Sequence, residues 1–135
     1  MFARSLSVCL GVALLTAACS NDQGAVNRRP TTGSATASTV NGVQQVTITA
    51  SDDYRFRPST ITVHPGKVEI ILKHPGTGAP HDWQLPRFPV DFVPLTAAGQ
   101  TRMASFTAPS PGRYEFVCTI HVKQGQRGTM IVTPK

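Results

Sequence analysis

Cysteine is scarce in this chain. Its 135 residues contain three, at positions 9, 19 and 118. The first two stand in an N-terminal leader, so no disulfide framework can hold the rest together, and Cys118 is left without a partner. Long apolar runs are missing too. Leu6 to Ala18 is the nearest to one, and it is too short to span a bilayer comfortably. No window of a dozen residues carries a helical repeat, which argues against a helix bundle. No internal repeat is present. Aromatic residues make up 7% of the chain. No basic run interleaves with them, which speaks against a nucleic-acid partner.

The leader "MFARSLSVCLGVALLTAAC" has a basic start at Arg4, an apolar stretch and the small pair Ala17-Ala18 before Cys19. That is the form of an export signal. Its end, "LTAAC", resembles the lipobox of bacterial lipoproteins, with Thr16 where Leu is usual. The likeness implies a signal over residues 1–18, removed with Cys9, and a lipid on Cys19. The protein is then expected at the cell membrane, lipid-anchored and facing outside the cytoplasm. Plain secretion or a periplasmic location is the alternative. Residues 20–42 are rich in Ser, Thr, Ala, Asn and Gly and cannot bury enough surface to offset their ordering entropy. With Cys19 they read as a flexible tether, residues 19–42, spanning roughly 25 Å as a coil.

Residues 43–135 suit one small domain, expected to be a monomer. The chain is formally +6, and the loss of Arg4 leaves +5. The basic residues are scattered, as on a solvated surface. The sharper reading is attraction to an acidic partner surface.

Period-2 patterns dominate the domain. Val46, Ile48 and Ala50 alternate, as do Ile61 with Val63, Val68 with Ile70 and Leu72, and Tyr114 with Phe116. Pro65-Gly66, Pro75-Gly76, Ala98-Gly99 and Pro111-Gly112 punctuate them. Short strands at this spacing predict an all-β sandwich or barrel. Prolines at 86, 89 and 94 predict a loop over Pro86 to Leu95.

The groups able to do chemistry are few. Cys118 ends a strand pattern, His121 follows three residues on, and Gln126 comes after Gly125. His81 follows a Gly/Pro-rich loop, "GTGAP". A lone exported thiol is either a buried inert side chain or a reactive or ligating one. Two imidazoles, a thiolate and a weak axial donor describe a trigonal copper site for electron transfer. His64, before a Pro-Gly turn, reads as solvated. His74 reads as a neighbour of the site rather than a ligand, and Trp83 as core.

The domain resembles the cupredoxins, and among them the plastocyanin-like small blue copper proteins, over about Val46 to Thr133. The stretch "PGRYEFVCTIHVKQGQRGTMIV" is similar to the family's Pro-Gly-x-Tyr-x-Phe-x-Cys strand and the ligand loop after it. "FRPSTITVHPGKVEI" and "APHDWQLP" match two further segments. The resemblance implies a Greek-key sandwich of about seven to eight strands and one type 1 copper per domain. It implies His81, Cys118 and His121 as equatorial ligands, with the edge of His121 exposed to a redox partner protein. It also implies a hydrogen bond from the Asp82 backbone amide to the sulfur. Most members carry Met as axial ligand. Gln126 stands there in this chain, as in the stellacyanin-like minority, with Met130, a water, a backbone oxygen or no axial ligand as rivals. The expected role is a one-electron carrier rather than an enzyme. Copper storage or delivery with the same ligands is the alternative, disfavoured by the lack of Met/His-rich tracts. A thiol hydrolase built on Cys118 and His121 lacks an evident third group and oxyanion hole.

Overall fold

A computed structural model describes residues 31–135. The leader, Cys19 and the first part of the tether lie outside the described residues. Eleven strands and one short 3-10 turn follow one another as β1 Ser34–Thr36, β2 Ser38–Val40, β3 Val43–Ser51, β4 Arg55–Arg57, β5 Thr60–Val63, β6 Lys67–Lys73, β7 His81–Leu85, β8 Phe88–Thr96, β9 Thr101–Thr107, β10 Gly112–Val117, the turn Val122–Gln124, and β11 Arg127–Val132. They form two sheets. One runs β1-β5-β11-β10-β7-β8, and the other β2-β3-β6-β9, with β4 paired to β3.

The alternation in the sequence becomes the core. Val46, Ile48 and Ala50 of β3 and Val68, Ile70 and Leu72 of β6 point inward from one sheet. Ile61, Val63, Trp83, Leu85, Tyr114, Phe116, Met130 and Val132 point inward from the other. Trp83 stacks on Phe106 and tilts against Phe116, while Phe116 meets the edge of Phe56. Burial of large aromatic and aliphatic side chains from both sheets holds the sandwich closed.

Two expectations change here. The strand count exceeds seven or eight because β1, β2 and β4, three residues each, also pair. Two of these fall inside residues 19–42, so regular pairing starts at Ser34. Asn41 and Gly42 both adopt positive φ (49° and 78°) and join β2 to β3 as a tight hairpin turn. Such a turn matches strand twist best when Asn-Gly supplies it. The second change concerns Pro86 to Leu95, expected as a loop. Nine residues, Phe88–Thr96, form a strand instead. β8 lies at the edge of its sheet, where a residue without an N–H interrupts no further ladder.

Candidate metal centre

Strand order brings the predicted residues together. β10 lies between β7 and β11 and runs antiparallel to both. The end of β10 therefore sits beside the start of β11, and the chain beyond it runs back along β7 toward His81. Val117 pairs with Gln84 on one side and Arg127 on the other. Cys118 follows β10, His81 opens β7, and Gln126 precedes β11, so all three gather at one end of one sheet.

The loop between Cys118 and Gln126 is closed by its own backbone. Cys118 N–H donates to Gln126 O at 3.0 Å, and His121 N–H donates to Cys118 O at 3.2 Å. His121 O accepts from Gln124 and Gln126 at 3.0 and 3.2 Å. Gly125 takes a left-handed φ of 79° to complete the turn, a conformation free of steric cost for glycine. Gly128 admits the loop's return into β11. A Cβ there would lie 2.2 Å from the Phe116 ring and 2.4 Å from Ser59 O.

One donor atom from each of His81, Cys118 and His121 lies within 4.8 Å of the others, and all three residues are buried. Cys118 Sγ is 3.4 Å from His121 Nδ1, and His81 Nδ1 is 2.8 Å from Gln126 Oε1. The Gln126 side chain is fully buried, its amide oxygen aimed at the same space. Its nitrogen and His81 Nε2 have no hydrogen-bond partner among the described residues. Buried polar atoms left this way are rare in folded proteins. Burial pushes the Cys118 thiol up to about 11, against backbone hydrogen bonds from Asp82 and His121 that favour the thiolate. Burial also lowers the pKa of His81, keeping the imidazole neutral, while its hydrogen bond to Gln126 acts the other way. A soft sulfur, two imidazoles and an amide oxygen in a buried space suit a copper ion.

Other residues singled out in the sequence fall at this site or away from it. The Asp82 backbone favours the Cys118 thiolate. His74 is buried and meets His81 edge-on, with ring centroids 4.5 Å apart. His64 is exposed and contacts Thr133 Oγ1 at 2.8 Å. Trp83 is core. Met130, the rival axial donor, is fully buried in the apolar core. The expected exposure of His121 is not met: it is only 6% accessible, and the Tyr54 ring lies 4.7 Å from its own.

Three contributors were missed. The Asp82 carboxylate accepts from Thr119 N–H at 2.6 Å and from the Thr119 hydroxyl, tying β7 to the ligand loop. Asp52 and Tyr54 come from the other sheet. β3 and β6 are parallel neighbours, so Asp52, just past β3, stands beside His74, just past β6. Asp52 Oδ1 lies 3.0 Å from His74 Nε2. The Asp52 carboxylate also accepts from Thr77 and Gly78 N–H at 3.0 and 3.2 Å. These contacts, the one with His74 first, lower its pKa. "SDDY" announces a turn in sequence, and nothing local says which histidines it will meet.

Two sheets packed face to face, with a His-Cys-His pocket at one end, define a class of mononuclear metal-binding sandwiches. Within that class the chain belongs to the cupredoxin-like domain family, whose model matches residues 9–132. Comparison with curated proteins gives no significant match. Among solved structures the chain is similar to the metal-binding domain of a Cu(I)-exporting P-type ATPase of Streptococcus pneumoniae. That pair is 23% identical with a TM-score of 0.60, covering 77% of this chain and 99% of that one. Auracyanin A, a blue copper protein of Chloroflexus aurantiacus, is 20% identical with a TM-score of 0.60, covering 68% and 100%. Reduced auracyanin of Roseiflexus castenholzii is 22% identical with a TM-score of 0.61, covering 73% and 99%. At these identities the likeness concerns the fold.

Proposed function

We propose that this chain is a one-electron carrier using a single copper ion held by His81, Cys118 and His121, with Gln126 as axial donor. The observation that carries the reading is the convergence of the three buried donors within 4.8 Å. Membership of the cupredoxin-like family supports it, as does the likeness to auracyanins. Copper would supply the Cu(II)/Cu(I) couple. The residues do the rest. β7, β10 and β11 fix the donors before metal arrives, so little has to rearrange when charge changes. The buried pocket excludes water from the sulfur. No substrate is transformed, so the protein is not an enzyme on this reading.

The leader and its lipobox-like end support anchoring through a lipid on Cys19, outside the cytoplasm. The scattered positive charge supports a partner with an acidic face. Electrons would pass through His121 and the Tyr54 ring that covers it.

Adding Cu(II) to the full chain is expected to give an intense visible thiolate-to-copper band, lost in Cys118→Ser. A colourless wild-type protein would defeat the reading. Retention of copper against a chelator through repeated redox cycles separates a carrier from a delivery protein, which would exchange it.

A further inference from the structure

Tyr54 holds a backbone conformation that tyrosine rarely takes. Its φ is 57°, in the left-handed region that a bulky side chain disfavours. Strain of this kind persists where the surroundings enforce it, and it clusters at functional sites. Both neighbours of Tyr54 are held. Asp53 pairs with Arg57 through two guanidinium nitrogens, at 3.0 and 2.6 Å. Asp52 accepts from Thr77 and Gly78 N–H and lies 3.0 Å from His74 Nε2. The loop after β6 makes room for that carboxylate with glycine. A Cβ at Gly76 would lie 2.2 Å from Asp52 Oδ1, and one at Gly78 2.9 Å. Tyr54 N–H donates to Ser51 O at 2.9 Å and closes the turn between β3 and β4. What the turn presents to the site is one ring. It is half-buried, tilted 45° to the His121 ring, with centroids 4.7 Å apart. Among the four candidate ligands His121 alone keeps any accessibility, and His81, Cys118 and Gln126 are fully buried. Tyr54 therefore lies against the one ligand that approaches solvent.

We propose that Tyr54 decides what reaches the metal: its ring screens His121 from water and small ligands, and the pinned Asp52–Arg57 turn keeps the ring in place. The proposal rests on the copper reading above and adds a selectivity to it. Behind such a cover the metal keeps the donors of the chain and takes no ligand from outside. An electron crosses through rings in contact, with no bond made or broken at the metal. A partner protein meets the outer side of Tyr54 rather than a bare imidazole edge. Copper delivery makes the opposite demand, because an incoming ligand must reach the metal before it can leave. A fixed ring over the outermost ligand opposes that step, so the same feature favours the carrier over the delivery protein.

The test compares the full-length wild type with Tyr54→Ala, Tyr54→Phe and Gly76→Ala. In the metal-free proteins, histidines are labelled with diethyl pyrocarbonate and the sites mapped by mass spectrometry. Exposed His64 is the reference for free labelling and buried His81 the reference for protection. Labelling of His121 relative to His64 should rise about tenfold in Tyr54→Ala, as expected when a local cover is lost from a folded domain. Tyr54→Phe keeps the ring and should restore the protection. Gly76→Ala leaves Tyr54 untouched but forces the Asp52 carboxylate aside, so His121 labelling should rise there too. In the copper-loaded proteins, azide should shift the visible band of Tyr54→Ala and leave that of the wild type in place. If Tyr54→Ala does not fold, Gly76→Ala carries both comparisons. Unchanged His121 labelling in the folded variants would overturn the proposal. So would an equal rise at His81, which reports loosening of the whole domain, or a wild-type band that azide shifts. A colourless wild-type protein fails the copper reading and takes the claim about ligand access with it. A coloured protein whose His121 is equally labelled with and without the Tyr54 ring fails this proposal alone.

Discussion

Gln126 brings an oxygen to a pocket otherwise furnished with sulfur and nitrogen. Its amide is fully buried, and the oxygen rather than the nitrogen is turned toward His81. Oxygen is a harder donor than a thioether and favours Cu(II) over Cu(I). Gln126→Met is therefore expected to raise the reduction potential of the copper-loaded protein, read by voltammetry. An unchanged or lower value would show that Gln126 does not reach the metal. At this scale the sequence was informative. Cys118, His121 and Gln126 sit within nine residues of chain, and their spacing alone marks a ligand loop. His81 lies 37 residues upstream of Cys118 and was found by the likeness of its segment. Asp52 and Tyr54 had no such marker, because their partners are far away in sequence.

Strands and turns decide how firmly these residues are held. The ligand loop returns into β11 through Gly128, where a Cβ would collide with Phe116 and the Ser59 carbonyl. Phe116 is locked between Phe56 and Trp83, so it cannot give way freely. Gly128→Ala is expected to destabilise the domain by about 1–3 kcal/mol, the usual cost of overpacking a filled core. Denaturant unfolding of the metal-free protein measures it, and a neutral result would mean that β11 and Phe116 separate easily. The β3–β4 turn works on the site from the opposite sheet. Tyr54 holds a positive φ of 57°, uncommon for a bulky residue, and its ring lies against His121. Asp53, beside it, pairs with Arg57 across the turn at 2.6 Å. β8 shows the limit of local reading. Its prolines argue for a loop, and only its place at a sheet edge makes a strand possible.

Across the whole molecule the buried donors couple stability to pH. The metal-free fold raises the Cys118 thiol from 9.0 to about 11. A raised pKa means that the unfolded chain gives up the proton first as pH rises. The stabilisation is complete below pH 9.0 and is lost as pH climbs to about 11. Two units correspond to about 2–3 kcal/mol. His81 and Asp52 act on the other side. Both are lowered, so their contributions are present above the ordinary values of 6.5 and 3.8 and fade as pH falls through the depressed ones. Urea unfolding of the metal-free protein should thus show a plateau near neutrality, with losses toward pH 11 and below pH 6.5. Cys118→Ser should flatten the alkaline limb alone. An alkaline limb unchanged in that variant would assign it to other groups.

The sequence alone determined the all-β class, the inward-facing residues of the long strands and the ligand loop. Each of these rests on short-range periodicity or spacing, and a period-2 pattern needs no distant information. The Asn41-Gly42 hairpin was equally local, although polar surroundings masked it. Only the tertiary structure decided that β10 lies between β7 and β11, so that His81 meets Cys118, and that parallel β3 and β6 end side by side, so that Asp52 meets His74. Strand order is a long-range property, set by how two sheets bury their apolar faces against each other, and no single segment carries it.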